Sequence, residues 1–267
     1  MNRLRIVAPI VGIVVFVAAW ELFVQLRDVR PFVLTAPSDI IDYLRQAPGD
    51  FVEASWVTAR QAFTGLAISL VVALVIAAPL AASSFLERAA QPILVLVQVA
   101  PFVAYVPSVV VWLGPGDPPA RFMTALVCAP AFVFAAVAGM RSADPASREL
   151  FASVDASRWQ VLWRLRLPSA LPSLFTTARY NTGLALVVAY LVEGGNLADE
   201  GLGAIGRRAA NNSVGEAVWA TVFCMVILGT IALIVIAALE RWILHWHASQ
   251  RGSAERIEKR QSTRSVP

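Results

Sequence analysis

Four uncharged runs, at residues 61–86, 89–116, 122–140 and 217–239, dominate this chain. Each is long enough to cross about 30 Å of hydrocarbon as a helix. Residues 6–20 form a shorter run that extends past Glu21 toward Val24, and residues 171–192 form another, interrupted by Arg179. With 58% hydrophobic and 15% charged residues in 267, the apolar content exceeds what a soluble core of this size needs. The pattern predicts an all-α polytopic membrane protein of about six transmembrane helices. Trp20 and Glu21 follow the first run where a cleavable signal needs small residues, so that helix is expected to be retained.

Charge gives the orientation. With a cytoplasmic N-terminus and six crossings, inside segments receive Arg3, Arg5, Arg88, Arg141, Arg148, Arg158, Arg164, Arg166 and the basic tail after Leu244. Outside segments hold Arg27, Arg30, Arg45, Arg121, Arg207 and Arg208 beside acids such as Asp28, Asp39, Asp42, Asp50, Asp199 and Glu200. The basic excess lies inside, as the positive-inside rule requires. The tail reads as a solvated segment near anionic lipid, with no nucleic-acid partner expected.

Residues 149–168, ELFASVDASRWQVLWRLRLP, are a short basic connection between two such spans. Asp144 is placed to N-cap a first helix with Pro145 at N1, and Asp155 to N-cap a second that runs to Leu167 before Pro168. Arg158, Arg164 and Arg166 alternate with Trp159, Leu162, Trp163 and Leu165, the chemistry of a helix at an interface, held by a partner. The spacing resembles the cytoplasmic signature of permease subunits of bacterial ATP-driven (ABC) importers: Glu-Ala-Ala, three residues, Gly, nine residues, Ile, one residue, Leu-Pro. Glu149 holds the Glu position, Asp155 the Gly, Leu165 the Ile, and Leu167 with Pro168 the final pair. Leu150 and Phe151 replace the alanines, and Asp155 replaces the glycine at the bend.

The resemblance implies a type I importer permease fold in the bacterial inner membrane, both termini cytoplasmic. It further implies three protein partners: an ATP-binding subunit docked on the 141–168 loop, an extracytoplasmic substrate-binding protein, and a second permease subunit, identical or related. Arg158 and Trp159 join Glu149–Phe151, Asp155, Leu165, Leu167 and Pro168 as expected coupling residues. The chain divides accordingly into 1–57, a first helix and entry segment, 58–244, the permease core, and 245–267, the basic tail.

Residues 31–46, PFVLTAPSDIIDYLRQ, contain a Pro37-Ser38-Asp39 turn entering a short amphipathic helix. Sulfonate, taurine and nitrate permeases carry a similar entry, and residues 167–195 look similar both to those permeases and to permeases for pyrimidine or riboflavin-like vitamin precursors. The third span carries Pro92, Pro101 and Pro107, and is expected to be kinked and to line a translocation path, with Tyr190 on the fifth span as another path candidate. Gly194, Gly195, Gly201, Gly203 and Gly206 suggest a flexible outside loop that serves as a gate or docking segment. Arg179 reads as a structural anchor, and Glu193 as a solvated charge at the outer boundary.

Catalytic chemistry finds little footing. Lys259 is the only lysine and follows no phosphate-binding glycine pattern, so ATP and magnesium belong to the partner subunit and no cofactor is expected in this chain. His245 and His247 lie past the last span, and Cys128 and Cys224 sit inside spans as small packing residues, so no metal site is expected. The rival from another class is a non-transporting membrane scaffold.

Overall fold

A computed structural model describes residues 3–195 and 200–244. The basic tail 245–267, with His245, His247 and Lys259, and the loop residues 196–199 lie outside the described residues. The elements are α1 (Arg3–Arg27), α2 (Pro37–Gln46), α3 (Pro48–Ala82), α4 (Ser84–Val99), α5 (Phe102–Leu113), α6 (Asp117–Arg141), α7 (Pro145–Ser153), α8 (Arg158–Val161), a π-helical turn (Leu162–Arg166), α9 (Leu167–Gly195), α10 (Leu202–Asn211) and α11 (Gly215–Ile243). No strand occurs among the described residues.

Among the described residues four helices, α1, α3, α6 and α11, are long and apolar enough to cross a membrane, five if α4 and α5 count as one broken span. The expected sixth, α9, has 29 residues, with Arg179, Asn181 and several hydroxyl side chains diluting its apolar character. The third span is bent, as expected, but at a break in the helix. It is two helices, separated where Ala100 (ψ 132°) and Pro101 (ψ 86°) leave helical geometry, while Pro92 and Pro107 stay inside helices. Pro101 withdraws its own N–H and disfavours helical backbone at Ala100, so two adjacent residues break together.

The chain forms two compact units. The first comprises residues 1–66, 101–125 and 185–229. Its core joins Ile40 of α2, Phe51 and Ala54 of α3, Leu202 of α10 and Ala220 of α11, with Trp20, Tyr43, Tyr190 and Trp219 packed around it. The predicted entry helix is α2, with Pro37 in its first turn, and Ser38 ties it to α1 through both its N–H (3.0 Å) and its hydroxyl (2.7 Å) donating to the Glu21 carboxylate.

The second unit comprises residues 67–100, 126–184 and 230–267, of which the structure describes those up to Leu244. Here small residues allow close helix approach, as apolar solvent demands. A Cβ on Gly139 of α6 would lie 2.7 Å from Ala170 Cα of α9, and Ser173 Oγ donates to Ala135 O at 2.9 Å. Cys128 is buried and serves packing, its carbonyl accepting from Asn181 Nδ2 at 3.0 Å. Arg179 pairs with Glu240 of α11, consistent with a structural anchor.

Candidate functional sites

The connection between α6 and α9 lies wholly in the second unit. Its base is tethered at Arg141, whose guanidinium donates to Leu80 O (2.9 Å) and Ala81 O (3.4 Å) at the end of α3 and pairs with Glu87 of α4. From there α7 starts as predicted, with Asp144 Oδ2 accepting from Ser147 N at 3.0 Å and Pro145 at N1.

The bend differs in detail. Asp155 does not cap the second helix; it terminates the first. It adopts φ +47°, its N–H bonds Ala152 O at 3.2 Å, and Ala156 N–H bonds Phe151 O at 3.0 Å. That is a Schellman C-cap with Asp155 at the left-handed position, where glycine is least strained and Asp is tolerated. The family's glycine at this place thereby has a stereochemical reason. The N-cap of α8 is Ser157, in a reciprocal capping box with Gln160: Gln160 N–H donates to Ser157 Oγ (3.3 Å) and Ser157 N–H to Gln160 Oε1 (2.8 Å). Nor does the helix stop at Pro168. The π turn, with Leu167 N–H bonded to Leu162 O, takes up the irregularity just before the proline and the chain continues into α9.

This folding sorts the expected coupling residues. Glu149, Leu150, Asp155, Arg158 and Trp159 are exposed, Leu150 by 62% and Trp159 by 66%, and so is the neighbouring Val154. Phe151 and Leu165 instead face a shared cavity of about 550 Å³ together with Arg148 and Arg166, while Leu167 and Pro168 are half-buried. One face is thus held by the fold, and the other carries a carboxylate and large apolar groups toward the outside.

The second site, in the first unit, departs more from expectation. Glu193 is not a solvated charge: it is 1% exposed. Its Oε2 accepts from Thr58 Oγ1 and from Gly203 N–H, both at 2.9 Å, and Thr58 Oγ1 in turn accepts from Leu202 N–H at 2.9 Å. These are the first N–H groups of α10, whose own N-cap, Gly201, has no side chain to satisfy them. A carboxylate at a helix N-terminus also complements the helix dipole. The other oxygen, Oε1, is buried without a partner among the described residues.

The glycines here serve close packing rather than flexibility. A Cβ on Gly203 would lie 2.0 Å from Tyr190 O, and one on Gly206 would lie 2.2 Å from Tyr190 Oη. Gly194 and Gly195 belong to α9. Tyr190 itself is half-buried, its hydroxyl 3.0 Å from Thr221 Oγ1. Pro101, the N-cap of α5, and Pro107 within it are exposed, and α5 reaches the end of α9, with Val106 Cγ1 3.3 Å from a Cβ placed on Gly195. Sequence reading missed Thr58 and also Asp117, the first residue of α6, which gathers Arg60 (2.7 Å), Gln61 (2.8 Å) and Arg121. A helix start without a capping side chain, beside a carboxylate at the end of an apolar run, was the available signal for Glu193.

Helices long enough to span a bilayer, linked by a well-capped polar helix pair with an exposed apolar face, define a polytopic membrane protein. Residues 62–245 match the family described as the binding-protein-dependent transport system inner membrane component, and the chain belongs to that family of ABC transporter permeases. It is 29% identical to a formylaminopyrimidine transport permease protein of Halalkalibacterium halodurans, covering 91% of this chain and 96% of that one. A riboflavin transport system permease protein of Chloroflexus aurantiacus is 30% identical over 90% of each chain. A taurine transport system permease protein of Escherichia coli is 27% identical over 87% of each. The fold matches a methionine ABC transporter chain solved in inward-facing conformations, with a TM-score of 0.64 and 19% identity, covering 73% of this chain and 96% of that one. The fold is therefore that of a type I importer permease, and the chain is a permease subunit of an ABC importer, not itself catalytic.

Proposed function

We propose that the chain forms the translocation path for a small solute of the sulfonate, taurine or nitrate kind, delivered by an extracytoplasmic binding protein and driven by a separate ATP-binding subunit. The observation that carries the energetic half is the capped α7–α8 connection, with Glu149, Leu150 and Val154 exposed on a preformed helix end. A short rigid helix seated in an ATPase groove transmits rigid-body motion to the spans it joins. Two ATPase subunits need two such elements, so the working unit is a pair of permease chains, identical or related. Pro101, Pro107 and Tyr190 line the path in this reading, with the break at Ala100–Pro101 as the element that changes arrangement during alternating access. The protein sits in the bacterial inner membrane with both termini cytoplasmic, in keeping with the charge distribution.

A second cargo reading, a pyrimidine or riboflavin-like vitamin precursor, is favoured by the relatives named for formylaminopyrimidine and riboflavin transport. Reconstitution decides between them: the full chain with its cognate ATP-binding subunit and binding protein should show ATPase stimulation, and uptake of either taurine or a pyrimidine. ATPase activity that is never stimulated by the permease would return the chain to the scaffold reading.

A further inference from the structure

Beside the coupling connection lies a cavity of about 590 Å³ whose rim carries Arg158, Arg166 and Trp159. Its floor is Ala78, Pro79 and Ala82, the last turns of α3. We propose that this cavity holds the headgroup of an anionic phospholipid, with the phosphate between the two guanidinium groups.

Three observations carry this. The first is charge. Two other arginines of this corner are committed, Arg141 to Glu87 and two α3 carbonyls and Arg148 to the Arg141 carbonyl, while Arg164 is exposed and does not line the cavity. Arg158 and Arg166 have no acidic partner among the described residues, and Arg166 is half-buried. A guanidinium withdrawn from water without an anion is costly, and its planar donor fork suits a phosphate. Arg158, Leu162 and Arg166 recur at four-residue spacing, so both charges and an apolar contact share one side of the α8–π turn.

The second observation is what adjoins the floor. Val71 and Val75 of α3 are 61% and 69% exposed, and with Ala78 and Ala82 they make a helical stripe, i, i+4, i+7, i+11, ending in the cavity. An acyl chain laid along this stripe continues into the headgroup position. A free phosphate or an acidic peptide would leave the stripe unused.

The third is the aromatic pair. Trp159 and Trp163 are both exposed and stack edge to face with centroids 5.4 Å apart. Exposed tryptophans next to arginine at the end of an apolar span belong at the headgroup level of a bilayer. Two residues of the rim, Arg158 and Trp159, also belong to the segment read as ATPase-coupling, and the lipid assignment requires only that they line this cavity.

The test is native mass measurement of the full chain in detergent with equimolar dimyristoyl-phosphatidylglycerol and dimyristoyl-phosphatidylcholine. The wild type should retain phosphatidylglycerol preferentially, and Arg158→Ala with Arg166→Ala should lower that retention about tenfold, since each basic group near an anionic headgroup contributes to binding. Retention of phosphatidylcholine should not change. Equal phosphatidylglycerol retention in the double variant overturns the proposal. So does displacement of the lipid by millimolar inorganic phosphate, which would mark a free-anion site. A variant that retains lipid normally but loses ATPase stimulation would assign the cavity to a protein partner, also overturning it. If the double variant fails to insert, the wild type decides: its thermal midpoint in detergent should be higher with added phosphatidylglycerol than with added phosphatidylcholine, and identical midpoints would refute the site.

Discussion

The α7–α8 connection and α10 are built from similar parts and stabilised in opposite ways. Each pivots on a residue with positive φ, Asp155 at +47° and Gly201 at +96°. In the connection, every cap is local: Asp144 serves Ser147, Ser157 serves Gln160, and Asp155 closes the α7 end. Neither α7 nor α8 has a fully buried residue. By contrast, α10 takes its cap from Thr58 and Glu193 on other helices and buries Leu202, Gly203, Ala204, Gly206 and Ala209. A helix capped by its own neighbours keeps its shape while its outer face remains available to a partner. One capped by distant side chains has shape only as part of the whole. The first arrangement suits docking, the second suits an element whose position reports on the helices around it.

Removing residues 150–160 should expose the contrast most strongly. ATPase stimulation and uptake are expected to fall to background while membrane insertion and the thermal midpoint of the rest of the chain persist. Undiminished uptake in vesicles would remove the connection from the mechanism. On the α10 side, Gly203→Val places a branched side chain where even a Cβ is 2.0 Å from the Tyr190 carbonyl oxygen. Overpacking of this kind should cost about 3 kcal/mol, seen as a lowered thermal midpoint in detergent.

Glu193→Ala leaves the Gly203 N–H of α10 and the Thr58 hydroxyl short of their acceptor, at a cost of about 2 kcal/mol. Glu193→Gln keeps a carbonyl oxygen in reach and should lose about half as much. The readout is thiol labelling of a cysteine placed at buried Ala204 in a background lacking Cys128 and Cys224. It should accelerate in the alanine variant and less in the glutamine variant. Equal protection in all three would mean that packing alone holds α10. The smallest effect belongs to the bend. Asp155→Gly should raise stability by about 0.5 kcal/mol, and Asp155→Val should lower it by about 1 kcal/mol, because only the latter is strained at positive φ. Equal midpoints for the two variants would indicate that the left-handed turn is not under load.

The connection was legible in sequence because its determinants are near neighbours. Spacing from Glu149 to Pro168 located it, and Asp144 with Pro145 marked its start. The assignment of Asp155 as an N-cap was displaced by two residues for a physical reason: Asp serves as a helix cap and also tolerates left-handed backbone, and Ser157 with Gln160 offered the better box. The third span was legible as apolar and proline-rich, yet composition does not say which proline breaks a helix. Pro92 and Pro107 remain within helices, and only Pro101 coincides with a break.

By itself the sequence determined that this chain lives in a membrane, roughly where its spans run, and where the capped polar connection lies. Those features follow from transfer free energies and local caps, which need no knowledge of distant residues. Only the tertiary structure decided that Glu193 is buried and that α10 is a packed helix instead of a loose glycine loop. The group that binds the Glu193 carboxylate, Thr58, lies 135 residues away in the chain. A carboxylate next to a glycine-rich stretch is solvated or enclosed according to what the fold brings against it, and here α3 and α10 supply the donors that make enclosure affordable.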